Sequence, residues 1–138
     1  MNRVAIALRH TIHKKPKIYL VYCSYPYTEN PKQCSEEIKL WAQKMLNKHS
    51  DLVLLVPHFV FDAIYDFPKN FDEIVKKHGK TNISSLPIWE LTLIEYCHIF
   101  AYNPMRMSAG VIWEKAFAEK MGIPIITMKE LEDGKRPE

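Results

Sequence analysis

No stretch of this chain holds the roughly 20 consecutive apolar residues that a membrane-spanning helix needs, so a transmembrane protein is not expected. The N-terminus also lacks a sustained apolar core before a small-residue cleavage site, so it is a poor signal peptide. Cysteine is scarce: Cys23, Cys34 and Cys97 are odd in number and show no C-x-x-C spacing. That argues against a disulfide framework or a zinc knuckle, and favours a reducing, cytoplasmic setting. Internal repeats and low-complexity segments are absent too. Acidic residues are missing from the first 17 positions, which carry Arg3, Arg9, Lys14, Lys15 and Lys17. The remainder has 14 cations against 16 acids, so the basic character sits in an N-terminal arm, residues 1–16, and the body is near neutral. A nucleic-acid groove would interleave Lys and Arg with aromatics along a folded face, and none is seen. The arm reads as solvated. What remains, 138 residues at 47% hydrophobic and 25% charged, is room for one globular domain.

That domain is expected over residues 17–130, with a polar tail at 131–138. Short apolar runs alternate with helix-like stretches. Lys17 to Cys23 (KIYLVYC), Asp51 to Val56 (DLVLLV), His98 to Tyr102 (HIFAY) and Ile123 to Met128 (IPIITM) read as strands. Between the first two, Asn30-Pro31 supplies an N-cap and a first-turn proline for a helix with Ile38, Trp41, Met45 and Leu46 at helical spacing. A second helix follows Ser85 and ends near Tyr96. A third is capped by Ser108 and stopped by Gly122, with an apolar stripe of Ala109, Ile112, Trp113, Ala116 and Phe117. Residues 71–78 suggest a further short helix. Such alternation implies an α/β fold with a parallel sheet, whose ligands sit beyond the carboxyl ends of the strands. The loops after Cys23, Val56 and Tyr102 are where chemistry is expected.

The most informative stretch is Met107 to Pro124, MSAGVIWEKAFAEKMGIP. Ser108 opens a helix, where its hydroxyl and the unpaired first-turn amides form an anion site. At 100° per residue Glu114 shares a face with Gly110, Phe117 and Met121, and its side chain leans back over Gly110. An anion-binding end, an open shelf and a carboxylate then follow in succession. This suits a phosphorylated sugar with its anomeric carbon near an acid. The plainer reading is an ordinary serine cap and a solvated glutamate.

The pattern Ser-x-Gly-x-x-x-Glu-x-x-x-Ala followed by Gly-x-Pro and an apolar strand resembles the nucleoside 2-deoxyribosyltransferase-like superfamily. Ile18 to Leu20 and the Pro-Tyr-Thr turn at Pro26 to Thr28 add to the resemblance, whose specific part is residues 108–124. It implies a flavodoxin-like three-layer sandwich with a four- to five-stranded parallel sheet, and a homodimer. It also implies cleavage or transfer of the N-glycosidic bond of a nucleotide or nucleoside, without metal or organic cofactor. Glu114 would be the nucleophile. Serine at position 108 is the choice of 5′-monophosphate hydrolases in that group, which makes Ser108 a phosphate ligand, with Arg106 nearby. The chain departs from the family at three places. Val21-Tyr22-Cys23-Ser24 replaces a glycine-containing turn, and His98 and Asn103 stand where acids are common. Glu114 is therefore left without an evident acidic partner.

Gly110, Tyr22, Arg106, Asn103 and His98 complete the expected substrate-binding set. Tyr19, Tyr22, Tyr25 and Tyr27 gather near the end of the first strand, where some of them could stack on a base. Asp62 and Asp66 either line a base pocket or pack the sheet. His10 and His13 lack a third ligand, so no metal site is expected. Cys97 and His98, adjacent in a strand, point to opposite faces and do not form a thiol-imidazole pair. The alternative to an enzyme is a non-catalytic nucleotide-binding or sensor module of the same fold.

Overall fold

The computed structural model describes residues 18–27, 30–57, 59 and 88–138. The expectations for residues 1–16, 71–78, Ser85, Asp62 and Asp66 fall outside these residues. Four strands, β1 (Tyr19–Ser24), β2 (Leu52–Leu55), β3 (Ile99–Tyr102) and β4 (Ile125–Thr127), form one parallel sheet in the order β2-β1-β3-β4. Val21 pairs with Leu54 on one side and Ile99 on the other, so β1 is central. The chain leaves β1 for one neighbour and later returns to the other, which makes the β1/β3 junction the switch point of a flavodoxin-like sheet.

Strand residues alternate between two cores. Val21, Cys23, Ile99, Ala101 and Ile126 pack beneath α1 (Pro31–Lys48) and α4 (Met128–Glu132), which supply Ile38, Met45, Met128 and Leu131. Tyr22, Phe100 and Ile125 face the other way. They meet Leu91 and Ile94 of α2 (Ile88–Glu95) and Ala118 of α3 (Ala109–Lys120). The result is the expected α/β three-layer sandwich. Among the described residues no helix is long and apolar enough to cross a membrane.

Local chemistry sets the helix ends. Asn30 Oδ1 accepts the Gln33 amide at 3.3 Å and Pro31 fills the first turn of α1. Gly122 takes φ +72°, letting Ile123 N–H reach back to the Ala118 carbonyl and close α3.

Two expectations are corrected. Residues 131–138 are not a polar tail: Thr127 and Glu130 form a capping box that starts α4, and Leu131 is fully buried. Arg136 then grips Asp51 with two bonds, Nε at 2.7 Å and Nη2 at 3.0 Å. Leu131→Ala should therefore cost about 2–5 kcal/mol, read as a shifted denaturant midpoint at constant slope. A change within experimental error would show that α4 is not part of the cooperative core.

The second correction concerns α3. Its apolar stripe faces outward: Ala109, Ile112, Trp113 and Ala116 are exposed, with Ile112 at 53% and Trp113 at 41%. The buried face holds Val111, Glu114, Ala118 and Met121, about 150° round the helix from the expected one. A carboxylate has taken the inward position. The reason lies on β1.

Candidate active site

Tyr22 and Ser24 are two residues apart on β1, so their side chains leave the same face of the sheet, towards α3. The Tyr22 hydroxyl donates to Glu114 Oε2, and Ser24 Oγ donates to Oε1 at 2.8 Å. Tyr22 is itself held by stacking on Phe100, centroids 5.8 Å apart and planes 11° from parallel. Both oxygens of a carboxylate that is only 7% exposed thus receive a hydroxyl. These two bonds offset the cost of burial and explain why α3 turns Glu114 rather than Trp113 inward.

A second carboxyl lies beside this cluster. Glu90, on α2, is also 7% exposed, and Glu114 acts on it electrostatically. Burial raises the Glu114 pKa to about 7, while the Tyr22 and Ser24 hydroxyls pull it down. Burial raises Glu90 well above the usual carboxylate range, and the charge of Glu114 pushes it further. Burial also raises the Tyr22 phenol, ahead of the charges of Glu114 and Glu90. Two acids in one dry site do not ionise together. Glu114 has two donors and is the better anion. Burial and the charge of Glu114 both favour the protonated form of Glu90.

The remaining expected residues are distributed around this centre. Ser108 caps α3, its Oγ accepting the Val111 amide at 3.2 Å, which leaves the hydroxyl proton available to a ligand. Gly110 lies in the first turn of α3, one turn before Glu114. Asn103 shapes the loop after β3: its Oδ1 accepts the Met105 amide and its carbonyl the Arg106 amide, each at 2.9 Å. Arg106 is directed to α1, with Nη2 2.6 Å from Glu37 Oε2. Tyr25 donates to the other oxygen of Glu37 at 3.1 Å.

His98 is at the wrong end of the sheet for a substrate ligand. It precedes β3, and its Nδ1 accepts the Leu20 amide at 2.8 Å near the start of β1. Tyr19 meets its ring edge-on, with centroids 6.1 Å apart. The ring extends the ladder between β1 and β3, whereas the candidate site lies towards the carboxyl ends. All three cysteines are buried thiols. Among the described residues no group of three His, Cys, Asp or Glu side chains is placed to hold a metal.

Glu90 was not anticipated. The available signal was a lone acid inside an otherwise apolar helix turn, Ile88-Trp89-Glu90-Leu91. Ser24 was noted only as part of a crowded turn, yet it and Tyr22 supply the hydroxyls that hold Glu114. The structure thus brings together Tyr22, Ser24, Glu90 and Glu114 from three elements. No family model, curated protein or solved structure matches the chain.

Proposed function

We propose that the protein cleaves the N-glycosidic bond of a cytoplasmic nucleotide, with Glu114 as nucleophile and Glu90 as proton donor. One observation carries this reading: two buried carboxyls whose surroundings divide them into an anion and an acid. Such a pair is what glycosyl transfer through an oxocarbenium-like transition state requires. A Glu114 oxygen attacks C1′ and the bond from C1′ to the base nitrogen breaks. The departing base takes the Glu90 proton, leaving a glycosyl ester on Glu114. Glu90, now ionised, takes a proton from water as that water attacks C1′. Free sugar phosphate leaves and both carboxyls return to their starting states. A second base in place of water gives transfer instead of hydrolysis.

Incubation with a panel of nucleoside 5′-monophosphates, followed by chromatography for released base, tests the reading. Base release is expected. Saturable binding without release would reject catalysis and leave the nucleotide-sensor function.

Substrate choice follows from Ser108. A capping hydroxyl and the neighbouring amides donate to phosphate without adding negative charge, so the native protein should prefer a monophosphate to its nucleoside. Ser108→Asp should reverse that preference, weakening the monophosphate by about 1–3 kcal/mol. Paired titrations of a nucleotide and its nucleoside against both proteins measure it. Equal affinities in the native protein would reduce Ser108 to a cap.

The proposal includes a homodimer, and the outward apolar face of α3 supports it. Trp113→Asp should lower the sedimentation-derived mass to that of one chain while the fold is kept. A native protein that sediments as a monomer at all concentrations would remove the dimer from the proposal.

A further inference from the structure

A cavity of 260 Å³ opens on the opposite side of the sheet from Glu114, between α1 and α4. It lies beyond the carboxyl ends of three strands, since Tyr25 follows β1, Pro104 follows β3 and Met128 follows β4. At about 30 Å³ per water it has room for roughly nine, which is the size of a small metabolite. Half of its lining is apolar: Tyr25, Pro104, Met128 and ring carbons of Trp41, whose indole nitrogen is buried. The other half is polar and carries both signs of charge, on Glu37, Glu132 and Lys129, with the Asn103 amide beside them.

Some of these polar groups are spent and others are not. Both oxygens of Glu37 are taken, by Tyr25 at 3.1 Å and by Arg106 at 2.6 Å. Glu132, its side chain only 15% exposed, gives Oε1 to Lys44 at 2.6 Å, and among the described residues nothing donates to Oε2. The bond from Lys44 also holds this carboxyl below its usual range, so it is an anion at neutral pH. Asn103 spends Oδ1 on the Met105 amide, which leaves its two N–H donors without a partner among the described residues. Lys129 holds Asp133 at 3.1 Å, but that pair is exposed on both sides and of a kind worth little, so the ammonium can turn to another partner at small cost.

The unspent groups narrow the ligand. An organic acid would satisfy Asn103 and Lys129 but meet two carboxylates. An amine would satisfy Glu132 but leave the Asn103 donors idle and lie near Lys129. Lys129 and Glu132 are three residues apart on α4, so they share a face and stand side by side. A molecule with an ammonium and a carboxylate on one carbon matches that pairing, and the apolar walls suit a hydrocarbon side chain.

We propose that this cavity binds a free α-amino acid with an apolar side chain, its ammonium on Glu132, its carboxylate on Asn103 and Lys129, and its side chain against Tyr25, Trp41 and Met128. The site is separate from Glu114 and stands whether or not the protein cleaves nucleotides.

The test is calorimetric titration of the full chain with L-leucine, L-methionine and L-phenylalanine. At least one should bind saturably at millimolar concentration or below. The amine and the acid made by removing either charged group from that amino acid should each bind more weakly, by about tenfold or more. Glu132→Gln should weaken the amino acid by a similar factor, about tenfold or more. Lys44→Ala breaks the same surface pair but keeps the carboxylate, so it should bind at least as well as the native protein. No saturable binding of the three amino acids would overturn the proposal, and so would an amine or acid that binds as tightly as its parent. Both results are read on the native protein, whatever the stability of the variants. Native affinity in Glu132→Gln, or an equal loss in Lys44→Ala, would overturn it as well, by removing the carboxylate from the site.

Discussion

Glu114→Gln should abolish base release, by about three orders of magnitude or more, and at the same time stabilise the protein above neutral pH. The two effects have one source. Burial lifts the Glu114 pKa from 4.5 to about 7, so the folded protein holds this proton more tightly than the unfolded chain does. Where the native state binds more protons, stability falls as pH rises. Between pH 4.5 and about 7 this carboxyl alone should remove stability at about 1.4 kcal/mol per pH unit. Glutamine keeps the shape, cannot ionise, and should erase that slope. On the proposed mechanism Glu114 must be ionised to attack, so kcat/KM should rise with pH and level off above about 7. Denaturant titrations across the pH range, paired with rate profiles, measure both. A Gln variant with native turnover would end the nucleophile assignment, and an unchanged pH slope would end the account of its burial.

The same carboxylate shows where reading the chain stopped short. Strand positions were legible because Lys17–Cys23, Asp51–Val56, His98–Tyr102 and Ile123–Met128 are apolar runs too short for helices, and a strand lies within each of the four. Ser108 and Gly122 marked the ends of α3 by local chemistry, which depends on few neighbours. The rotation of α3 was not legible. Ala109, Ile112, Trp113 and Ala116 at helical spacing argue for an inward apolar face, and hydrophobic periodicity alone would bury them. The decision was made by hydroxyls 92 and 90 residues earlier, on Tyr22 and Ser24. Only strand register and helix placement bring those donors to one spot. His98 failed for a different reason: it was read as the first residue of its strand, but its site role came from the family resemblance, whereas the start of β3 lies away from the carboxyl ends where the candidate site forms. Thr127-x-x-Glu130 did carry a capping-box signature, concealed because Ile123–Met128 read as a continuous strand.

Glu90→Gln separates proton donation from every structural role that residue could have. For a nucleotide with an ordinary neutral base, the leaving nitrogen must gain a proton as the bond to C1′ breaks. Loss of a positioned general acid costs about 10²–10⁴ in rate, so base release should fall by that factor. A 7-methylguanine nucleotide is different, because its base is already cationic on the sugar and leaves neutral without a proton. Its first turnover should therefore be nearly as fast in the Gln variant as in the native protein. On the proposed mechanism hydrolysis of the glycosyl ester also uses Glu90, to take a proton from water, so later turnovers of the same substrate should slow. The expected trace is a burst of 7-methylguanine about equal to the enzyme concentration, followed by a slow phase. Glutamine also removes an acid that burial holds well above its usual pKa, so the variant should be at least as stable as the native protein at high pH. Equal loss of rate for neutral and cationic bases would show that Glu90 only shapes the site. Undiminished release of a neutral base would show that the proton comes from elsewhere.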